Sequence, residues 1–261
     1  MPIVRHEYQQ VQRQVQGARF KDYRRWSVTA WLISINIAIL FLDVICNYAL
    51  TKWGEFSITK AVLGLQFWRW ITVQFLHAGP MHLFFNMMYL YVFGWMIEEY
   101  LGRRKYLAFY LICGMAGPLG YMLIYFLHLL PNFFTADAPM VGASAGIMGL
   151  LIAAARLFPD REILFFFMPM RIIWLAWIYI GWAAYTIMAA GGNGGGQAAH
   201  LAGAAMGFWL IKHPNLLNFV EPTMPRASIT HSATMPVGST RAAPPSGRRI
   251  VFEDDVDHTA R

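Results

Sequence analysis

Residues 142–149 read GASAGIMG, a serine set among glycines and alanines, and the run that follows, LLIAAARLF at 150–158, carries a single charged side chain, Arg156. A GxSxG pattern often marks a soluble serine hydrolase, whose nucleophile stands on a sharp turn between a strand and a helix. That setting calls for a β-branched strand just before the serine. The residues at 129–141 are instead LLPNFFTADAPMV, which read as a loop. The stretch is thus the start of a helix that is too apolar for water.

Composition extends this reading to the whole chain. Of 261 residues, 57% are hydrophobic and 13% charged, against roughly 45–50% and about 25% in soluble domains. This places the chain in a membrane. Lys and Arg cluster in the first 26 residues, at 103–105, over 156–171 and in the tail. They form no basic face with interleaved aromatics, so nucleic acid is excluded as a partner. Cys46 and Cys113 lie inside apolar runs, far from metal-ligand spacing. Both read as small buried hydrophobes, with no disulfide, metal or other cofactor expected. Residues 1–25 are polar and lack the short apolar core of a cleaved signal peptide, so the first apolar helix is expected to stay as an anchor.

Six runs have the length and apolarity of candidate spans: Trp26 to Leu50, Met81 to Ile97, Tyr106 to Leu130, Val141 to Phe158, Ile172 to Ala190, and the short Gln197 to Ile211. The predicted fold class is an all-α membrane protein, a six-transmembrane-helix bundle with both termini cytoplasmic. It comprises a cytoplasmic segment 1–25, a membrane domain 26–212 and a disordered cytoplasmic tail 213–261. With the N-terminus inside, only Lys52, Lys60 and Arg69 of the 21 basic residues fall outside, as the positive-inside rule requires. The first outer loop, about 51–80, contains FWRWITVQFL and is expected at the lipid interface. GGNGGG at 191–196 is expected to be a mobile loop, since glycine imposes little conformational preference.

Polar groups inside spans require a reason. Asp43 and Asn47 are expected to reach the interface, and Glu98 and Glu99 to cap or pair with Arg103 or Arg104. His82, Asn86, Ser144 and His200 are different. His82 and Asn86 are four apart and share a helix face. Ser144 falls in the first turn of the fourth span and His200 in the first turn or so of the sixth. The second, fourth and sixth spans all begin on the outer side, so the four groups share one depth. A neutral imidazole can take a hydroxyl proton, and His82, Asn86 and the Ser144 N–H can stabilise an oxyanion. Only Asp43 or Asp137 could supply a nearby carboxylate, so a dyad is favoured over a triad. Gly142 with Gly146, and Gly203 with Gly207, form GxxxG steps beside the serine and the histidine that permit close helix approach, with Gly146 expected to be a contact point for the sixth span.

From about 67 to 211 these residues resemble the rhomboid intramembrane serine proteases. Trp68–Arg69, the HxxxN of MHLFFN, the GxS of GAS and the AHxxG of AHLAGAAMG occur in the family's order. The resemblance implies a serine endopeptidase acting on single-span membrane proteins near the outer end of a helix that unwinds easily. Ser144 would be the nucleophile, His200 the general base and then acid, and His82, Asn86 and the Ser144 N–H the oxyanion donors. Arg69 would hold the first outer loop, Gly203 would let the sixth span pack on the fourth, and the fifth span with the loop above would gate entry. Ala145 replaces the family's frequent glycine after the serine. Met148 replaces an aromatic that packs on the histidine, and its thioether can fill that place.

The runner-up is a catalytically silent member of the same fold that escorts membrane clients, disfavoured because both serine and histidine are present. A transporter would carry repeated halves, and none is seen. Short loops and the six-span core suggest a bacterial inner membrane as the location.

Overall fold

The computed structural model describes residues 26–129, 135–165, 168–189 and 193–221. The expectations for 1–25, for residues 191–192 and for the tail beyond 221 lie outside the described residues.

Among the described residues, six long helices occupy the six apolar runs: α1 (Val28–Ile45), α2 (Pro80–Leu101), α3 (Arg103–Phe126), α4 (Ser144–Leu157), α5 (Ile172–Met188) and α6 (Gly194–Lys212). Two of them, α1 and α3, are long and apolar enough to cross a membrane, while α4 and α5 are apolar but shorter. Their ends follow local chemistry. Ser27 caps α1 by accepting the Ala30 N–H, Pro80 opens α2, and Gly102, at φ 78°, breaks the chain between α2 and α3.

The core lies between α2, α3, α4 and α6 and includes Leu90, Phe93, Phe109, Tyr110, Ile147, Leu150 and Leu151. Glycines set the helix spacing. A Cβ on Gly203 of α6 would stand 2.1 Å from the Ala145 carbonyl oxygen of α4, and one on Gly207 2.4 Å from Gly149 Cα. The two backbones are therefore in direct contact there. The expectation for Gly146 needs correction, because it faces Tyr110 of α3 and not α6, with a Cβ 2.8 Å from that ring. On α4 the small residues that meet α6 are Ala145 and Gly149.

Other expectations are corrected by packing. Glu98 does not turn to Arg103 or Arg104. Its carboxylate accepts hydrogen bonds from the Val28 and Thr29 N–H groups and the Thr29 hydroxyl at 2.7–2.9 Å, capping α1. Asp43 has a partner within the protein. It is buried and accepts from the Thr51 N–H and hydroxyl, tying α1 to the loop. Cys46 is exposed, while Cys113 is buried as expected.

The α4–α5 connection is an antiparallel hairpin, β1 (Glu162–Phe165) with β2 (Met168–Arg171), which pairs Ile163 with Met170, so the fold is not wholly α. Both of those side chains pack on the core, a local gain that span-finding by length does not register. Order also continues past residue 212: a 3₁₀ helix at Pro214–Val220 buries Leu217 fully, and Glu221 pairs with Lys105 at 3.0 Å.

Candidate active site

The loop before α2 is built as a platform. Its four short helical pieces, Ala49–Gly54, Thr59–Leu63, Arg69–Thr72 and Val73–Phe75, accompany a small core of Phe56, Ile58, Ala61 and Val73 with Tyr121 of α3. Arg69 is buried and clamps the loop. Its guanidinium donates to the Glu55 carbonyl at 2.6 Å, to Gln66 Oε1 at 2.6 Å and to the Lys52 carbonyl at 3.3 Å. Burial lowers its pKa, and the nearby Glu55 opposes that shift. Trp68 stacks on Trp53 with ring centroids 5.6 Å apart. Gln74, which the sequence reading did not single out, donates to the Leu111 carbonyl. It occupies the space a Cβ on Gly114 would need, so α3 carries the loop directly.

Beneath this platform lies a cavity of about 420 Å³, lined by His82, Gly142, Ser144, Ala145, Asn193 and His200 among others. Ser144 is the first residue of α4. The first backbone bond of that helix runs from the Ile147 N–H to the Ala143 carbonyl, so the Ser144 N–H has no intrahelical acceptor. His200 comes from α6 and sits deeper than expected, because that helix begins at Gly194 and takes in half of the glycine run. Asn193 precedes the first turn, and its side chain fills the space where Gly196 would otherwise carry a Cβ. Ser144 Oγ and His200 Nε2 are 2.7 Å apart. The second ring nitrogen of His200, Nδ1, is 3.1 Å from Gln197 Oε1.

His82 faces the serine from α2. The Ala78 N–H donates to its Nδ1 at 3.3 Å, which leaves the proton of the neutral ring on Nε2. That edge of the ring lies 3.1–3.2 Å from where a Cβ on Gly142 would be, and Ser144 Oγ lies 3.4 Å from the same point. Gly142 itself adopts φ 138°, in a region that disfavours a side chain. Asn86 is buried but does not line the cavity; its amide donates to the His82 carbonyl at 2.9 Å. Ala145, whose methyl group could have crowded the site, packs toward Gly117 of α3. Met148 and His200 line a small adjoining gap with Tyr179 and Ala204.

His77 was not foreseen. It is buried in the loop just before α2, with its ring edge-on to His82 at 5.2 Å. Burial, and secondarily the neighbouring His82, pushes its imidazole down to about 3. A neutral ring therefore backs His82 at neutral pH. A cue existed in the spacing, since His77 and His82 bracket the Gly79–Pro80 turn that starts α2.

A family model described as Rhomboid domain matches residues 64–213. The chain is 27% identical over 198 residues to the rhomboid protease AarA of Providencia stuartii, covering 69% of this chain and 70% of that protein. It is 34% identical over 102 residues to each of two Arabidopsis thaliana proteins, RHOMBOID-like protein 6, mitochondrial, and RHOMBOID-like protein 7. Each of those matches covers 39% of this chain, but only 30% and 29% of the plant proteins.

Proposed function

Because the chain belongs to the rhomboid family, and is thereby membrane-embedded, we propose that it is a serine endopeptidase cutting single-span membrane proteins near the outer end of their transmembrane segment. The observation that carries this reading is the 2.7 Å approach of Ser144 Oγ to His200 Nε2 within a cavity that also receives His82. At that distance the imidazole can take the hydroxyl proton as the oxygen attacks a carbonyl, then return it to the leaving amine. The developing oxyanion is met by the His82 Nε2–H and the Ser144 N–H. Asn86 is engaged by the His82 carbonyl one turn earlier on the same helix.

The accompanying topology is six crossings with both termini cytoplasmic, and a bacterial inner membrane is the proposed location. The reading is tested by expressing the full chain with a tagged single-span reporter. Wild type should release the cut reporter, while Ser144→Ala and His200→Ala should lose about 10³-fold or more of the activity. Cleavage that persists in Ser144→Ala would sink it. Uncut reporter that co-purifies with wild type would favour an escort.

A further inference from the structure

The His200 ring has two hydrogen-bonding nitrogens, and only one of them faces Ser144. For Nε2 to accept the serine proton it must carry none, so the single proton of the neutral ring has to reside on Nδ1. Among the described residues the group bonded to Nδ1 is Gln197 Oε1, at 3.1 Å. Gln197 and His200 are three residues apart on α6 and share one helix face. The Gln197 backbone N–H donates to the Asn193 carbonyl at 3.0 Å, so the acceptor stands on an ordered turn. The carboxylates that could compete for this role are elsewhere: Asp43 is engaged by Thr51, and Asp137 is exposed.

We propose that Gln197 is a positioning residue of the reaction. Its amide oxygen takes the Nδ1 proton in a hydrogen bond, which selects the tautomer whose Nε2 lone pair faces Ser144 and fixes the plane of the ring. A neutral amide performs here the orienting part of what a carboxylate does in a triad, without adding a charge inside the bundle. This rests on the reading of Ser144 as nucleophile and His200 as base.

The test uses the full chain in proteoliposomes and follows two readouts, phosphonylation of Ser144 by a fluorophosphonate probe, which releases fluoride, and kcat and KM for a single-span reporter. Gln197→Met keeps the side-chain length and removes the acceptor oxygen. It should slow phosphonylation and lower kcat by about 10-fold or more, part of the ~10²–10⁴ that a positioned base supplies, with KM within about two-fold of wild type. Gln197→Glu, which keeps an oxygen in place, should recover most of the rate. Gln197→Asn, with its amide one carbon shorter, should behave like Gln197→Met and guards against a packing defect in either variant. Phosphonylation of Gln197→Met at the wild-type rate overturns the role of Gln197 while leaving the nucleophile reading intact. A wild type that resists the probe while folded, or a Ser144→Ala protein that still reacts with it, defeats the nucleophile reading and the role of Gln197 together.

Discussion

Two of the glycines on neighbouring helices meet opposite surroundings. Gly203 of α6 is buried with its α-carbon against the α4 backbone, whereas Gly181 of α5 has nothing within 4 Å of where a Cβ would stand. The helices differ in the same way. On α4, ten residues from Ala145 to Ala155 are buried, while α5 turns Trp174, Trp177, Trp182, Tyr185 and Met188 outward. The α4–α6 contact is thus a precision joint between backbones, and α5 is a large apolar body laid beside it. The joint holds Ser144 and His200 at hydrogen-bond distance, so small errors there reach the reacting atoms. Errors of the same size on the exposed face of α5 fall into open space.

The largest effect is expected at the joint. Gly203→Ala places a methyl 2.1 Å from the Ala145 carbonyl oxygen and 2.7 Å from its carbon. Both are backbone atoms and cannot swing away, so α6 must move off α4. Overpacking of this kind costs about 1–3 kcal/mol, and the figure should sit at or above the upper end where backbone is struck. Fluorophosphonate labelling of Ser144 should disappear with a clear drop in Tm. Wild-type labelling in Gly203→Ala would show that the joint yields and that the comparison with α5 is one of degree only.

A smaller effect, confined to the lip of the same joint, is expected from Gly142→Ala. The position combines φ 138° with a methyl that would stand 3.1–3.2 Å from the His82 ring. Strain of about 1–3 kcal/mol is the ordinary cost of such a conformation. Because the contact is with the ring that faces Ser144, kcat should fall by more than the loss of Tm alone would explain. A variant with lowered Tm and unchanged kcat would remove His82 from the oxyanion site.

The contrast also explains which parts of the molecule could be read from the sequence. Apolar length located the six long helices of the described residues, because removing a long run from water is a property of the run itself. The positions of Ser144, His200 and His82 around one cavity followed from alternation of the chain. What a small residue touches depends on the opposing helix, so Gly146 was matched to α6 when Tyr110 fills the space beside it. Gly149, which meets Gly207, was passed over. The same reason hid the partners of Glu98 and Asp43, which lie on other elements. Residues 194–196 read as loop because a run of glycines disfavours helix. Close packing reversed that preference: Gly194 and Gly195 are buried in α6, and His200 moved nearly two turns into its helix as a result. Gln197 went unnoticed because its role exists only once the His200 ring is placed.

The smallest effect, and the sharpest control on the comparison, is expected from Gly181→Ala. The two substitutions add the same methyl to the middle of a helix, so they share any intrinsic change in helix propensity. That change favours alanine by up to about 1 kcal/mol. At Gly203 it is overwhelmed by the clash, but at Gly181 nothing opposes it, since the new methyl meets open space. Tm should therefore hold or rise slightly, with Ser144 labelling unchanged. The pair of measurements subtracts propensity from contact and leaves the cost of the joint alone. A fall in Tm for Gly181→Ala comparable to that for Gly203→Ala would mean that α5 is seated on a partner at that face, and that its freedom from close packing is not a property of the protein in its membrane.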